Sequence, residues 1–429
     1  MGISKTKLLL VALLLLGIGL QNLNAQSDTL KLSLKQTEKI FLDSNLLLIA
    51  AGYNVDANKA LIEQAKVWDN PTLVTDQNVY TNNKFFQHGK DAITGQPTGQ
   101  YFIQFQQLVK TAGKRGKLIN MATTNAKISE LQLNDLMRNL KYDLRANYFT
   151  LMQLIKNKQI DENSYTKLNL LFKGMTAQLE AGNISQKEYL RIQSLIVSLE
   201  KEIADLNTQI FDTENNLKTT LHIKGNVFIY PTDNFSSFKI NFTTDKEIIE
   251  IAKSNNPYFE LQQKQVQFQQ QNLSYQKALA VPDITFGPEY DHNSNYIPHY
   301  VGLGINLPLP VFNRNKGNIK SADFGVKQQQ TIAQNADIEL QNNVTNAYNK
   351  LLAVLKVANE SEQVFYEKYT LMFSNMLASY EHKQISLLEF MDFFDTYKDV
   401  QNQHYQSKLN LQLVSEELNY HAGIDVIKK

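Results

Sequence analysis

YFIQFQQLVKTAGKRGKLINMA, residues 101–122, and VGLGINLPLPVFNRNKGNIKSA, residues 301–322, repeat one pattern 200 positions apart. In each, a strand-like alternation ends, a basic turn follows, and a long helical periodicity begins. At that offset Ile103, Phe105, Lys114, Ile119 and Ala122 fall on Leu303, Ile305, Arg314, Ile319 and Ala322. A duplicated unit of this size implies pseudo-symmetry, so any surface it builds should recur around an axis.

Working outward, the nine prolines stand at 71, 97, 231, 257, 282, 288, 298, 308 and 310, which leaves residues 98–230 and 311–429 free of proline. Such stretches admit helices far beyond the globular mean of about 12 residues. Leu133, Leu136, Leu140, Leu144, Tyr148, Leu151 and Ile155 keep helical time, and Val344, Tyr348, Leu351, Leu355 and Ala358 mark a coiled-coil seam. Repeat one, residues 26–221, is predicted as a helix over 33–68, a strand pair over about 71–109, a long helix over 113–181 and a shorter one over 186–221. A linker covers 222–244. Repeat two, residues 245–423, has helices over 245–280, 317–382 and 386–421, a strand pair over about 282–309, and a tail over 424–429.

The chain opens with Lys5 and Lys7 ahead of an apolar run from Leu8 to Leu20, then a small residue at Ala25. That run is too short to span a bilayer and is predicted to be a signal peptide, residues 1–25, cleaved after Ala25. There is no cysteine, which excludes disulfides, thiolate metal sites and an acylated cysteine. No later apolar run reaches about 18 residues, so a membrane-crossing segment has to be β. With 43 basic and 42 acidic residues and no basic block, nucleic acid is excluded as a partner.

The strands have the length and alternation of tilted transmembrane β-strands. Tyr80, Tyr101, Phe102, Tyr290, Tyr296 and Tyr300 lie near their ends, as an interfacial girdle requires. The repeats align at an offset of 211 before the strands and 200 after them, so the first hairpin connection is about eleven residues longer, which marks a free loop. Four strands cannot close a barrel, since the smallest have about 8. Either the chain oligomerises or the strands do not span.

At an offset of 201, Gly182–Leu190 corresponds to Lys383–Met391, which places Glu188 opposite Glu389 at two helix starts. Glu389 and Asp392 share one helix face. They read as stacked acidic rings around a pore or as solvated first-turn acids that favour the helix dipole, and both readings stand. Histidines 88, 222, 292, 299, 382, 404 and 421 are scattered; Asp291, His292 and His299 share a predicted loop, too weak a pattern to predict a metal site. The Gln328–Gln330 and Gln341–Asn343 faces suit a wet tunnel or plain exposed helix. No catalytic motif appears, and neither an enzyme nor a cofactor is expected.

Together, the export signal, the duplicated helix-strand-strand-helix-helix units and the helical turns resemble the TolC family of outer-membrane efflux channels. LPLPVFNRNKGNI, residues 307–319, looks like that family's signature after its last barrel strand, especially in the cobalt-zinc-cadmium and copper-silver resistance branch. The motif residues are Pro308, Pro310, Phe312, Asn313, Arg314 and Gly317. The resemblance implies a mainly α protein with a β-barrel. Long antiparallel coiled-coil helices would form a periplasmic α-barrel, and four transmembrane strands per protomer would build a 12-stranded barrel in a homotrimer seated in outer-membrane lipid. It also implies docking onto a periplasmic adaptor protein and an inner-membrane pump of the resistance-nodulation-division type. Glu389 and Asp392 match the family's acidic gate, and Glu188 and Tyr380 match two members of the closing network. Ile385 replaces the arginine expected there, with Lys187, Arg191 or Lys383 as substitutes. The implied function is a passive exit duct for substrates that include heavy-metal cations. Alternatives are a duct for drug efflux or type I protein secretion, and, from another class, a structural periplasmic coiled coil or adhesion protein.

Overall fold

A computed structural model describes residues 28–81, 83–86, 89–95, 97–235, 244–293, 297–357 and 360–427. The predicted signal peptide lies outside them, as do His88, Tyr296, Ala358 and residues 236–243 of the predicted linker.

In chain order the chain begins with β1 (Asp28–Leu32), α1 (Leu34–Ser44), α2 (Leu46–Lys66) and β2 (Thr72–Gln77). Four short strands follow: β3 (Tyr80–Thr81), β4 (Lys84–Phe85), β5 (Gly89–Lys90) and β6 (Pro97–Thr98). Next come β7 (Tyr101–Val109), α3 (Lys114–Glu180), α4 (Gln186–Leu221) and β8 (Val227–Pro231). The second half holds α5 (Asp245–Asn255), α6 (Pro257–Leu279), β9 (Ile284–Asn293) and β10 (Pro298–Asn306). It ends with α7 (Lys316–Val357), α8 (Glu360–Glu381) and α9 (Leu387–Ala422).

The first helix predicted for each repeat is in fact two. Asn45 sits in extended backbone, and its Oδ1 accepts the Leu47 and Leu48 N–H groups at 3.0 and 3.1 Å, which starts α2 afresh. Asn256 does the same for Phe259 at 3.1 Å, with Pro257 as the first residue of α6. Asparagine competes for backbone donors and proline lacks one, so both points break a ladder through which the apolar periodicity runs unbroken. In contrast, α3 is continuous for 67 residues, about 100 Å at 1.5 Å per residue.

Among the described residues the chain divides into two compact units, one within 1–43 and 150–234, the other within 44–149 and 235–429. In the first, β1 runs parallel to β8 from Asp28↔Val227 to Leu32↔Pro231. Asp233 accepts the Leu34 N–H at 2.7 Å, and buried Glu214 accepts the Ile229 N–H at 3.0 Å. Phe41, Leu151, Leu168, Ile192, Leu199, Leu217 and Leu221 form its apolar interior.

In the second unit the predicted seam residues Val344, Tyr348 and Leu351 pack with Ile248, Ala252, Leu340, Leu418, Ala422 and Ile427. Arg145 fastens the C-terminal segment to α3, donating to Glu416 at 2.6 Å and to Asp425 at 2.7 and 2.9 Å. Burial alone would raise the Asp425 pKa, but Arg145 and Lys141 outweigh it and hold it down to about 2.

This unit also carries an antiparallel four-stranded sheet in the order β10-β9-β7-β2. The register pairs Leu73 with Phe105, Ile103 with Tyr290 and Tyr290 with Val301. Period-two alternation then places Leu73, Ile103, Phe105, Ile284, Phe286, Val301, Leu303 and Ile305 on one face, all exposed. The other face is polar: Gln104 Nε2 donates to Glu289 at 2.9 Å and Gln100 Nε2 to Asp291 at 3.2 Å. Here Tyr300 lies over Gly302, where any Cβ would collide with its ring. The predicted aromatic girdle therefore splits, with Tyr101 and Tyr290 on the apolar face and Phe102 and Tyr300 on the polar one. The strands are also shorter than ten residues on the β2 side: β2 stops at Gln77, and Tyr80 pairs with Phe85 in the enlarged first connection.

Candidate functional site

Both helix-to-helix turns are built by the same local chemistry. At the end of α3 the Asn183 N–H bonds Gln178 O at 2.8 Å and the Gly182 N–H bonds Leu179 O at 3.0 Å. At the end of α8 the Gln384 N–H bonds Ser379 O at 2.8 Å and the Lys383 N–H bonds Tyr380 O at 2.9 Å. These are two Schellman caps, with Gly182 at φ 73° and Lys383 at φ 57° in the left-handed position. Lys383 accepts strain that glycine avoids, a cost of about 1 kcal/mol.

The next helix starts in the same way in both places. The Glu188 N–H donates to Ser185 Oγ at 3.2 Å, while Glu188 Oε2 accepts the Ser185 N–H at 3.2 Å. In the second turn the Glu389 N–H donates to Ser386 Oγ at 3.2 Å, and Glu389 Oε2 accepts the Ser386 N–H at 2.7 Å and the hydroxyl at 2.8 Å. Each glutamate thus completes a capping box. The Ser386 backbone N–H, and then its hydroxyl, hold the Glu389 carboxyl below the usual carboxylate range, so it is charged at neutral pH. Asp392 is exposed on the same helix. Its charge, after burial, raises the Tyr369 hydroxyl pKa.

Ile385 occupies the place just before the cap, with Phe390 at the fifth place after it; Ile184 and Tyr189 fill the same places in the first turn. That is the pattern of a hydrophobic staple, which fixes the chain's entry into a helix. An apolar residue suits this position in both copies, which accounts for isoleucine where the resemblance called for arginine.

Behind the second turn stands a set of aromatic rings, of which the family resemblance singles out Tyr380 alone. Tyr380 stacks on Phe390 at 5.4 Å, Phe373 meets Phe394 at 5.6 Å and Tyr397 at 4.7 Å, and Tyr369 meets Phe393 at 5.6 Å. Tyr366 lies 3.9 Å from His404, whose pKa is pushed down to about 4 by burial and then by Lys408. The signal was present in the helical spacing of positions 366, 369, 373 and 380 against 390, 393, 394 and 397. Behind the first turn, Phe172 and Tyr189 pair at 4.6 Å, among the aliphatic residues Leu168, Leu171, Met175 and Ile192.

The strand-to-helix junctions diverge more. In the first, Ala112 and Gly113 both take left-handed backbone, and buried Lys114 donates to Asp283 at 2.7 Å and to Val281 O at 2.6 Å. In the second, Asn315 is left-handed at φ 57°; its N–H donates to Asn313 Oδ1 at 3.1 Å and its side chain to Gln276 O at 2.8 Å. Arg314 Nε reaches Pro310 O at 3.2 Å. Pro308 is exposed and Phe312 is 98 % exposed, while Gly317 has ordinary helical backbone with open space around it. Among the described residues no helix is long and apolar enough to cross a membrane.

The chain matches the outer membrane efflux protein family over residues 39–221 and 248–422. It is 20% identical over 366 residues to the cobalt-zinc-cadmium resistance protein CzcC of Cupriavidus metallidurans, covering 84% of this chain and 82% of that one. Its fold is similar to that of the CusC channel, with a TM-score of 0.72, 15% identity and coverage of 94% and 95% of the two chains. It is also similar to the CmeC outer membrane channel of Campylobacter jejuni, at a TM-score of 0.72, 12% identity and coverage of 91% and 85%. The family match runs over both repeats, the duplicated strands and helical turns included. The chain belongs to the outer membrane efflux protein family.

Proposed function

We propose that the protein is the exit duct of a tripartite efflux system, a homotrimer whose three sheets close one 12-stranded barrel in the outer membrane. The observation that carries this reading is the four-stranded sheet. Among the described residues, β2 and β10 each pair on one side only. Unpaired strand edges cannot persist in hydrocarbon, and four strands are too few to close. Three copies joined edge to edge supply 12 strands, with the apolar face toward lipid and the polar face around water.

The long helices then continue the duct into the periplasm, and the signal peptide accounts for export. The turns at Glu188 and at Glu389 with Asp392 dock onto a periplasmic adaptor, behind which an inner-membrane pump of the resistance-nodulation-division type supplies the energy. Heavy-metal cations are the favoured cargo, supported by the name of the Cupriavidus relative and by the charged, exposed acids of the second turn.

The absence of cysteine allows a direct test. Within one chain β2 and β10 are separated by three strand spacings, about 14 Å. A Thr75→Cys and Leu303→Cys double variant treated with a linker shorter than about 10 Å is expected to give covalent dimers and closed trimers in outer-membrane fractions. Neither single variant should give trimers. Monomer alone from the double variant would overturn the edge-to-edge barrel.

A further inference from the structure

We propose that the β9–β10 hairpin carries a transition-metal site made of His292, His299 and Tyr290, suited to Cu2+ or Zn2+. The register sets Pro298 opposite Asn293 and Tyr300 opposite Asp291, so His299 stands directly across from His292. Their ring centroids are 4.8 Å apart. Tyr290, two residues along on the same face, places its hydroxyl 2.7 Å from His299 Nδ1 and 3.4 Å from His292 Nδ1.

The hydroxyl-to-nitrogen separations of 2.7 and 3.4 Å bracket the donor spacing of a small coordination sphere. A tetrahedral ion bonded at about 2.0 to 2.1 Å holds its donor atoms about 3.3 Å apart. A metal can enter between the hydroxyl and the two ring nitrogens with small adjustments, leaving a fourth position for water. Tyr101 stacks on His292 at 4.7 Å and 11°, which orients the imidazole. His299 is held at φ 60°, a conformation costly for any residue with a side chain and common at ligand-binding positions. His299 is exposed and the other two are half-buried; they stand on the lipid-side face next to Asn293↔Pro298, the last pair of the hairpin, so an ion reaches them from the membrane–water boundary.

The donors are not the trio singled out in the sequence. Asp291 alternates to the polar face and bonds Gln100, and among the described residues there is no cluster of three His, Cys, Asp or Glu able to hold a metal. The phenol supplies the third donor. Two nitrogens and one oxygen favour late divalent metals, copper above zinc. On binding, Tyr290 loses its hydroxyl proton to solvent and its oxygen bonds the metal, so affinity rises with pH. The site rests on hairpin geometry and is independent of what the duct transports.

The test is calorimetric titration of the full-length protein in detergent with Cu2+ and with Zn2+, alongside optical and electron-paramagnetic spectra of the copper form. One site per chain is expected, with nitrogen hyperfine structure and a phenolate-to-copper charge-transfer band. His292→Asn or His299→Asn should weaken binding by more than the roughly 10- to 100-fold typical of losing an outer-shell partner. Tyr290→Phe should keep weaker, nitrogen-only binding and lose the band, with only the proton competition of the two imidazoles left in its pH dependence. His382→Asn, at the α8–α9 turn, should bind like wild type. No uptake by the wild-type protein, as an interfacial ring of aromatics alone would give, overturns the proposal; so does undiminished binding in the His292→Asn, His299→Asn double variant.

Discussion

The turn at residues 182–190 and the turn at residues 383–391 share one backbone but differ in chemistry. Each ends a helix with a Schellman cap and opens the next with a serine-glutamate capping box. What differs is the left-handed residue, glycine against lysine, and the surroundings, aliphatic with one aromatic pair against a continuous set of stacked rings. Backbone caps are satisfied by a handful of positions, so the remaining side chains are free to diverge. Only the second copy adds an acid one turn after its capping glutamate: Asp392 follows Glu389, whereas Arg191 follows Glu188. The two copies share the capped turn between helices and differ in the charges beside it.

The largest effect should separate Phe394 from Gln193, which correspond at the offset of 201. Phe394 is fully buried, and truncation to alanine should cost about 3 to 5 kcal/mol through lost burial and a cavity. Gln193 is exposed, and Gln193→Ala should stay within about 0.5 kcal/mol. Denaturant unfolding followed by helical circular dichroism checks both. Equal losses would mean that the rings do not set the second turn apart.

A smaller effect of opposite sign should come from the left-handed residues. Lys383→Gly relieves strain and should stabilise by up to about 1 kcal/mol, whereas Gly182→Ala introduces it and should destabilise by about 1 kcal/mol. The same unfolding curves give the answer. If both exchanges shift stability in one direction, the two caps are not equivalent.

How far the sequence reveals this fold depends on the range of the forces involved. The strands β7, β9 and β10 and the ends of α3, α4 and α9 are legible because period, proline and cap chemistry act within a few residues. The breaks at Asn45 and Asn256 are not, because the apolar phase continues across them; the cap is visible only as an asparagine, although Pro257 was a local clue. Parity decides the girdle: Tyr101 and Tyr300 both sit near strand ends, yet only the register shows that they face opposite ways. The clamp of Arg145 on Glu416 and Asp425 joins positions more than 270 residues apart, beyond any local pattern. At the two helix-to-helix turns, the capping role of Glu188 and Glu389 follows from the Ser-x-x-Glu spacing, while the aromatic wall behind Glu389 needs two helices brought side by side.

We propose that the second turn, through Glu389 and Asp392, sets the cation preference of the duct. The most direct measurement is single-channel recording in planar bilayers with a trivalent cation as blocker, comparing wild type, Glu389→Gln with Asp392→Asn, and Glu188→Gln. Glutamine keeps an acceptor at the capping position, so charge is removed while the helix start is retained. The predicted result is that block weakens by about tenfold or more in the second-turn double variant and by clearly less in Glu188→Gln. Block that is unchanged by the double variant, or weakened equally by Glu188→Gln, would contradict the account.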